Sequence, residues 1–215
     1  MPQRIIAGGR PGAVTGRGLR ALTGRSEIKP RGRARNYRNG VCAMELMDVI
    51  LKRRSIRRYT GEDIPEETLR QILQAGLLAP TSRNLKPWEF YVVRDKDTLR
   101  RLSLAKSAGG GMLADCNAAI AVFGDGERAD TWVEDCSIAM SFMMLMAEEK
   151  GVGSCWVQIH FRTDASGKKA EENVREILDV PAGFRIAGIL AMGIPAEEAK
   201  AHALSDADWG KVHRI

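Results

Sequence analysis

The chain has 215 residues, of which 28% are charged and 44% hydrophobic, and its formal net charge is +6. That length suits one substantial domain with its own core. Residues 1–43 hold ten Lys/Arg against the single acid Glu27, a net of +9, so the remainder carries −3. A weakly acidic body argues against nucleic-acid binding by the body and leaves any such binding to the basic arm.

Residues 1–43 are rich in Gly and Arg and show little apolar periodicity. They lack the means to bury a core, so we expect a disordered arm followed by one domain at 44–215. An ordered helix pattern begins at Met44. One interpretation is that translation starts there, while a targeting segment or a nucleic-acid tether are the alternatives for the arm.

Cysteine spacing and hydropathy predict a location. Cys42, Cys116, Cys136 and Cys155 are far apart and form no CxxC pair, which indicates reduced thiols and a cytoplasmic protein. The longest apolar run, 138–147, is well short of the roughly 20 residues needed to span a bilayer. The first residues also lack the apolar core of a signal peptide, so we expect no membrane partner.

Apolar spacing predicts helices and short strands in mixed succession. Helices are expected over 44–54, 65–79, a segment capped by Asp95, 132–150 and 168–178. Strands are expected over 88–93, 118–123, 152–159 and 184–192. The order lacks regular βαβ alternation, and neither GxGxxG nor GxxxxGK[ST] occurs. These features favour an α+β fold over a doubly wound nucleotide-binding fold.

Three further segments carry expectations. Residues 81–86 form a polar loop between two prolines, and the three glycines in 107–111 predict a mobile segment that is a candidate lid. The tail from Gly193 is expected to be extended, with Trp209 as its apolar anchor. Helix 132–150 is apolar almost all round and must be covered, either by a partner subunit or by a central position in its own chain.

The segment Arg53 to Tyr59 reads Arg-Arg-Ser-Ile-Arg-Arg-Tyr and follows the first predicted helix. Guanidinium groups bind phosphate oxygens bidentately and a serine hydroxyl adds a donor, so the segment suits a phosphate monoester. The alternative is a solvated basic face that complements the helix dipole.

Other constellations are weaker. None of the three histidines, His160, His202 and His213, has metal-ligand spacing with another, so no metal site is predicted. Cys155 with His160 forms an imaginable thiolate pair, although a cysteine in an apolar strand is usually a core residue. A phosphate-binding segment without acid–base residues indicates that a cofactor carries the chemistry.

The segments 53–59 and 79–90 (Ala-Pro-Thr-Ser-Arg-Asn-Leu-Lys-Pro-Trp-Glu-Phe) resemble the two signature segments of the FMN-dependent nitroreductase family. The resemblance extends in order over 44–215, with further matches at 151–157, 193–198 and 209–213. It implies an α+β nitroreductase-like fold, with a central mixed sheet flanked by helices, in an intertwined homodimer that binds FMN at its interface.

The resemblance also implies roles for residues. The FMN phosphate and ribityl chain would be held by Arg53, Arg54, Ser55 and Arg57. The other subunit would supply Pro80, Thr81, Ser82 and Asn84. The flavin ring would lie along Cys155, Trp156 and Val157. Lys86 would also contact the cofactor, in a position where many relatives carry glutamine. His202 or Lys200 in the tail would contact the FMN phosphate, where many relatives place Arg or Lys.

By the same resemblance the protein is an oxidoreductase with NADH or NADPH as donor. It would transfer two electrons in a ping-pong sequence to a nitroaromatic, a quinone or a similar small acceptor. The alternatives are a nucleic-acid-associated protein acting through its arm and a flavin-binding protein without turnover.

Overall fold

The computed structural model describes residues 45–215, so the predicted arm and Cys42 lie outside the described residues. Within that range the helices are α1 Leu46–Lys52, α2 Glu66–Leu77, α3 Lys96–Ser103, α4 Trp132–Glu149 and α5 Ala170–Leu178. The strands are β1 Trp88–Val93, β2 Ala118–Asp125, β3 Gly153–Gln158 and β4 Phe184–Gly193. None of the helices in this range has the length and apolar character that crossing a membrane requires.

The four strands form one sheet in the order β1-β2-β4-β3, and every neighbouring pair is antiparallel. The α+β fold class and a central sheet flanked by helices are therefore confirmed. The sheet contains less parallel pairing than a mixed sheet implies. Within residues 45–215 the parallel pairing is one isolated bridge between Ser55 and Ser154. β1 and β3 are the two edges of this sheet.

Helices cover both faces of the sheet. Residues of α2 and α4 pack on one face, and residues of α3 and α5 pack on the other. This arrangement explains why β2 and β4 are continuous apolar runs and not alternating ones.

Local signals set the element ends much as the sequence predicts. The Asp95 carboxylate accepts a hydrogen bond from the Thr98 amide at 2.8 Å and so caps α3. Gly151 adopts a left-handed φ of 71° and ends α4. α1 ends at Lys52, with Arg53 as its C-cap, so the arginines follow this helix instead of extending it.

The long helix α4 is central and still incompletely covered. One side is fully buried by the rest of the chain and includes Cys136, Ala139, Met140 and Met143. On another side the apolar Phe142 is 41% exposed. The rest of the chain therefore buries most of the apolar surface of α4 but leaves an apolar strip exposed.

The tail is held by its backbone, and Trp209 is not its anchor. Trp209 is 73% exposed in the chain, which contradicts the predicted role. The amide of Thr60 donates to the carbonyl of Ile194 at 2.8 Å, and the amide of Ala196 donates to the carbonyl of Arg58 at 3.0 Å. These bonds lay the start of the tail antiparallel to the segment that follows the arginines.

Gly193, at the end of β4, sits where a side chain has no room. A Cβ there would lie 2.7 Å from the Tyr59 ring and closer still to the Asn117 Oδ1, and both neighbours are largely enclosed. We expect Gly193→Ala to lower the free energy of unfolding by about 2 kcal/mol, because overpacking forces neighbours aside. Urea unfolding of the apoprotein at fixed protein concentration measures it. The control Gly61→Ala adds a Cβ with nothing within 4 Å, and equal stability losses for both variants would contradict the prediction.

Candidate functional site

The arginine segment is attached to the outer edge of β3. Ser55 forms the parallel bridge with Ser154, and the Ile56 amide donates to the Ser154 carbonyl at 3.0 Å. Ile56 is buried at this junction. The segment is therefore fixed to the sheet edge and is not a free solvated face.

The segment and Cys155 come together, as the resemblance implies. Burial raises the pKa of the Cys155 thiol, against the opposing effects of Arg57, a hydrogen bond with the Ser55 side chain, Arg53 and Lys106. Three cationic side chains therefore converge on this part of β3. The thiol stays neutral near pH 7 because its burial outweighs them.

The arginines differ in what they bind within the chain. Arg58 forms a salt bridge with Glu197 at 2.8 Å, and Arg54 donates to the Lys200 carbonyl of the tail. The Arg57 guanidinium donates to the Ser55 carbonyl at 3.3 Å, and Arg53 lies near Glu148, whose pKa burial raises and this arginine lowers. Within residues 45–215 neither guanidinium forms a salt bridge with a carboxylate, so both keep donors for an anion.

A cavity of about 440 Å³ lies on the other side of the segment, between Ile56 and the tail. Its charged lining consists of one cation, Lys52, and three acids, Glu148, Glu197 and Glu198. Burial raises the pKa of Glu148, and nearby Arg53 and Lys52 oppose that rise. Three carboxylates make this cavity less suited to a phosphate than the surroundings of Cys155, where Arg57, Arg53 and Lys106 act, so the candidate anion site is the Cys155 side of the segment.

The residues Cys155, Trp156 and Val157 do not share one face of β3. Trp156 packs with the α2–α4 side of the sheet, and Val157 packs with the α3–α5 side. The Ser154 carbonyl points away from β4, because it accepts from Ile56, and the alternation of a strand then aims the backbone groups of Trp156 outward too. A flat ring can therefore meet all three residues only at the free backbone edge of β3.

Lys106 is a site residue that the sequence analysis missed. Its Nζ donates to the Gln158 carbonyl at 2.9 Å, at the far end of the same strand edge. Burial lowers its pKa, with Arg162 adding to the effect and Cys155 opposing it. Four residues of strand, about 13 Å, thus separate Ser154, beside the arginines, from the Lys106 contact.

The predicted lid is docked in this structure. The Ser107 amide donates to the Thr163 carbonyl at 3.0 Å, and the Asn173 side chain donates to the Ala105 carbonyl at 3.2 Å. These bonds hold Lys106 against β3. The mobility of 107–111 stays a prediction.

The second predicted group lies in the loop 80–86 and is not brought to the first. This loop leads into β1, the edge strand opposite β3. Three strand spacings, about 14 Å, separate the two edges. Cys155 is also level with Val93 through Ala191 and Ala119, so the start of β1 lies about five residues, or roughly 17 Å, further along the sheet.

The loop 80–86 has a strained backbone. Arg83, Asn84 and Lys86 have left-handed φ angles of 52°, 53° and 48°, which residues other than glycine rarely adopt. The Lys86 amide donates to the Thr81 hydroxyl at 3.2 Å, while the Lys86 side chain is exposed. Pro80 and Asn84 are exposed and Ser82 is half-buried, so the loop presents polar groups outward.

The tail brings His202 near the end of α1. The His202 amide donates to the Leu51 carbonyl at 2.8 Å, and its ring faces Asp206 at 3.5 Å. Lys200 meets the arginine segment through its carbonyl, which accepts from Arg54. The tail therefore borders the arginines, and a phosphate contact by the His202 or Lys200 side chain stays a prediction.

The imagined thiolate pair of Cys155 with His160 does not form. The His160 ring packs edge-on against Trp132, with centroids 5.0 Å apart, and Glu171 and Arg185 are its charged neighbours. Trp132 belongs to the α2–α4 side of the sheet, and His160 is not one of the groups that chiefly shift the pKa of Cys155.

The fold and the site define an α+β protein with a candidate anion site at one sheet edge. Arginines without a salt bridge suit a phosphate, and a free strand edge with a lysine at its far end suits a planar ring that has hydrogen-bonding atoms. The residues present thus fit FMN.

Comparison with known proteins gives the family. The Nitroreductase family model matches residues 50–110 and 104–194, and the chain belongs to this family. A structure described as an FMN-dependent nitroreductase from Clostridium difficile R20291 is 42% identical, with a TM-score of 0.77, and the match covers 78% of this chain and 98% of that one. An Archaeoglobus fulgidus protein with the provisional name NADH dehydrogenase/NAD(P)H nitroreductase is 34% identical over 79% of this chain and 97% of its own. A Thermus thermophilus NADH dehydrogenase is 31% identical over 69% and 85%.

The raised pKa of Cys155 has a direct test. Thiolate is the form that reacts with iodoacetamide, so we expect Cys155 in the folded apoprotein to react much more slowly at pH 7.5 than it does in urea. Arg57→Ala removes a charge that lowers this pKa and should slow the reaction further. Peptide mass mapping over a time course measures both. Reaction of the native protein at the rate of free cysteine would contradict the assignment.

Proposed function

We propose that the protein is an FMN-dependent NAD(P)H oxidoreductase that reduces a small acceptor, such as a nitroaromatic or a quinone, in a ping-pong sequence. The observation that carries the proposal is the pair of guanidinium groups without a salt bridge, Arg53 and Arg57, which act on Cys155 at the edge of β3. The names of the C. difficile and A. fulgidus relatives support the cofactor and the donor. The cytoplasmic location stays a prediction.

Each part of the site has a task. Arg53 and Arg57 bind the phosphate, and Ser55 adds a hydroxyl donor. Arg54 also holds the tail against the segment through the Lys200 carbonyl, and its contact with FMN stays a prediction. The outward backbone groups of β3 orient the flat ring at the sheet edge.

FMN, when bound, supplies the two-electron chemistry between donor and acceptor. The protein supplies fixed positive charge, from Arg57 and Lys106, beside the strand edge where negative charge develops. In a ping-pong sequence the donor leaves before the acceptor binds, so the two can use the same space beside the ring in turn.

The site requires a second copy of the chain. The loop 80–86 lies about 14 Å across and 17 Å along the sheet from Cys155, too far for its side chains to reach the same ring. A homodimer in which each loop reaches the other subunit solves this problem by symmetry. The proposed site therefore has arginines from one subunit and the loop from its partner.

Exposed apolar surface supports the dimer. A groove of about 440 Å³ between α1, α2 and α4 is lined by Leu46, Val49, Ala75, Phe142, Leu145, Met146 and Glu149. Leu46 is 65% exposed in the single chain. Apolar surface of this kind is typical of subunit interfaces.

The phosphate assignment predicts a selective loss of FMN affinity. Arg53→Ala/Arg57→Ala removes two charged hydrogen-bond partners, so the apoprotein should bind FMN at least about a hundredfold more weakly. Quenching of FMN fluorescence on titration measures the dissociation constant.

Arg58→Ala is the matched control. Arg58 is a neighbouring arginine, but it is committed to Glu197 and its side chain is 75% exposed. We expect its loss to change FMN affinity less than about twofold. Equal losses in the two proteins would indicate that net charge, and not this pair, binds the cofactor.

The shared site predicts that two inactive variants complement each other. Arg53→Ala/Arg57→Ala and Thr81→Leu/Asn84→Leu are unfolded together and refolded with FMN. In a mixed dimer one site collects both defects and the other collects neither. Half of randomly paired dimers are mixed, so about a quarter of wild-type NAD(P)H oxidation should return.

Each parent refolded alone provides the baseline. Mixing differently tagged subunits shows that exchange has occurred. Exchange without any rise above the parents would mean that the site is not built across the interface.

A further inference from the structure

We propose that Asp135 is a positioning residue that holds the loop 80–86 in the conformation required by the partner subunit's FMN site. The inference rests on the proposed function, because the loop acts across the interface. Asp135 lies in α4. Within residues 45–215 its side chain forms no hydrogen bond with the arginine segment or with β3.

Asp135 is a buried carboxylate directed at the loop. The residue is 2% exposed and stands in the first turn of α4. Its Oδ1 accepts from the Ser82 amide at 2.9 Å, and its Oδ2 accepts from the Thr131 hydroxyl at 3.1 Å. Burying a carboxylate is costly unless hydrogen bonds replace its hydration, so this pairing fixes the start of the loop firmly.

The loop needs such a support. Three of the four residues from Arg83 to Lys86 have left-handed φ angles without being glycine. Strained backbone of this kind persists only where the surroundings determine it. Ser82 immediately precedes these residues, so the bond from its amide to Asp135 sets where the strained turn begins.

A second aspartate, Asp130, also contacts the loop but holds it less firmly. Asp130 pairs with Arg83 of the same loop, but the two side chains are 78% and 63% exposed. Exposed ion pairs of this kind contribute little. The helix that carries Asp135 is also anchored, since Ala139 and Met140 are fully buried. Asp135 thus connects the loop to the rigid interior, while Asp130 touches it at the surface.

The first experiment measures FMN affinity. Asp135→Ala should weaken FMN binding by the apoprotein about tenfold or more, because the loss of a charge-assisted hydrogen bond frees the loop. Asp130→Ala, which removes the exposed partner of the same loop, should change the affinity less than about twofold. Asp135→Asn keeps an acceptor for the Ser82 amide and should recover most of the affinity. Equal affinity for Asp135→Ala and the wild type would overturn the proposal.

A second pair of variants keeps Asp135 and removes only its donor. Ser82→Ala retains the amide N–H and Ser82→Pro deletes it, while both lack the hydroxyl. Thr81 has φ −136° and ψ 156°, a conformation that a following proline favours, and Ser82 opens a helical turn, where proline is tolerated. We expect weaker FMN binding for Ser82→Pro than for Ser82→Ala. Equal binding would overturn the proposal even if Asp135→Ala failed to fold.

Subunit mixing separates positioning from general damage. At an FMN concentration that fills wild-type sites but leaves Asp135→Ala sites largely empty, Asp135→Ala mixed with Arg53→Ala/Arg57→Ala should restore about a quarter of wild-type activity, because one site then has intact arginines and an intact loop. Asp135→Ala mixed with Thr81→Leu/Asn84→Leu should restore nothing, because both loops are defective. The reverse pattern would place the effect of Asp135 within its own subunit and overturn the proposal.

The mixture of the arginine and loop variants is the control that tests the proposed function alone. If that control restores activity and the Asp135 mixture does not, only the claim for Asp135 fails. If the control fails as well, the shared site is wrong, and the claim that Asp135 acts on the partner falls with it.

Discussion

The bridge between Ser55 and Ser154 is the constraint on which the site depends. The hydrogen bond from the Ile56 amide to the Ser154 carbonyl attaches an arginine-rich segment to a sheet edge that would otherwise be solvated backbone. It determines which side of β3 the cations occupy and leaves the outward groups of Trp156 open. Arginines on a mobile arm would bind anions without selecting one, whereas arginines fixed to a strand edge also fix the distance to a ring.

Much of the architecture could be predicted because local signals agree with the fold. β1 spans Trp88–Val93 as expected, and Asp95 caps α3 as its position predicts. The association of residues 53–57 with Cys155 also follows from the family resemblance. Strand order could not be predicted, because nothing local in the sequence states that β4 lies between β2 and β3. The strand directions could not be predicted either, and the expected mixed sheet has, within residues 45–215, one isolated parallel bridge.

The residues that sequence reasoning missed act over long separations. Lys106 meets Gln158, 52 residues away, and Ser82 meets Asp135, 53 residues away. Neither pair shows any periodicity or motif. The left-handed turn at Arg83, Asn84 and Lys86 was also hidden, because glycine normally marks such a backbone and none is present. Trp209 was misjudged from hydrophobicity alone, which does not tell whether a neighbouring surface exists.

The hydrogen bonds between the tail and the arginine segment also bear on how the protein is made. The Lys200 carbonyl accepts from Arg54, 146 residues earlier, and the amide of His202 reaches back to Leu51. On a ribosome the arginines emerge early, β3 follows about a hundred residues later, and the tail emerges last. The contacts that hold the arginine segment are therefore completed only when synthesis is nearly finished, and long-range closure of this kind is slow.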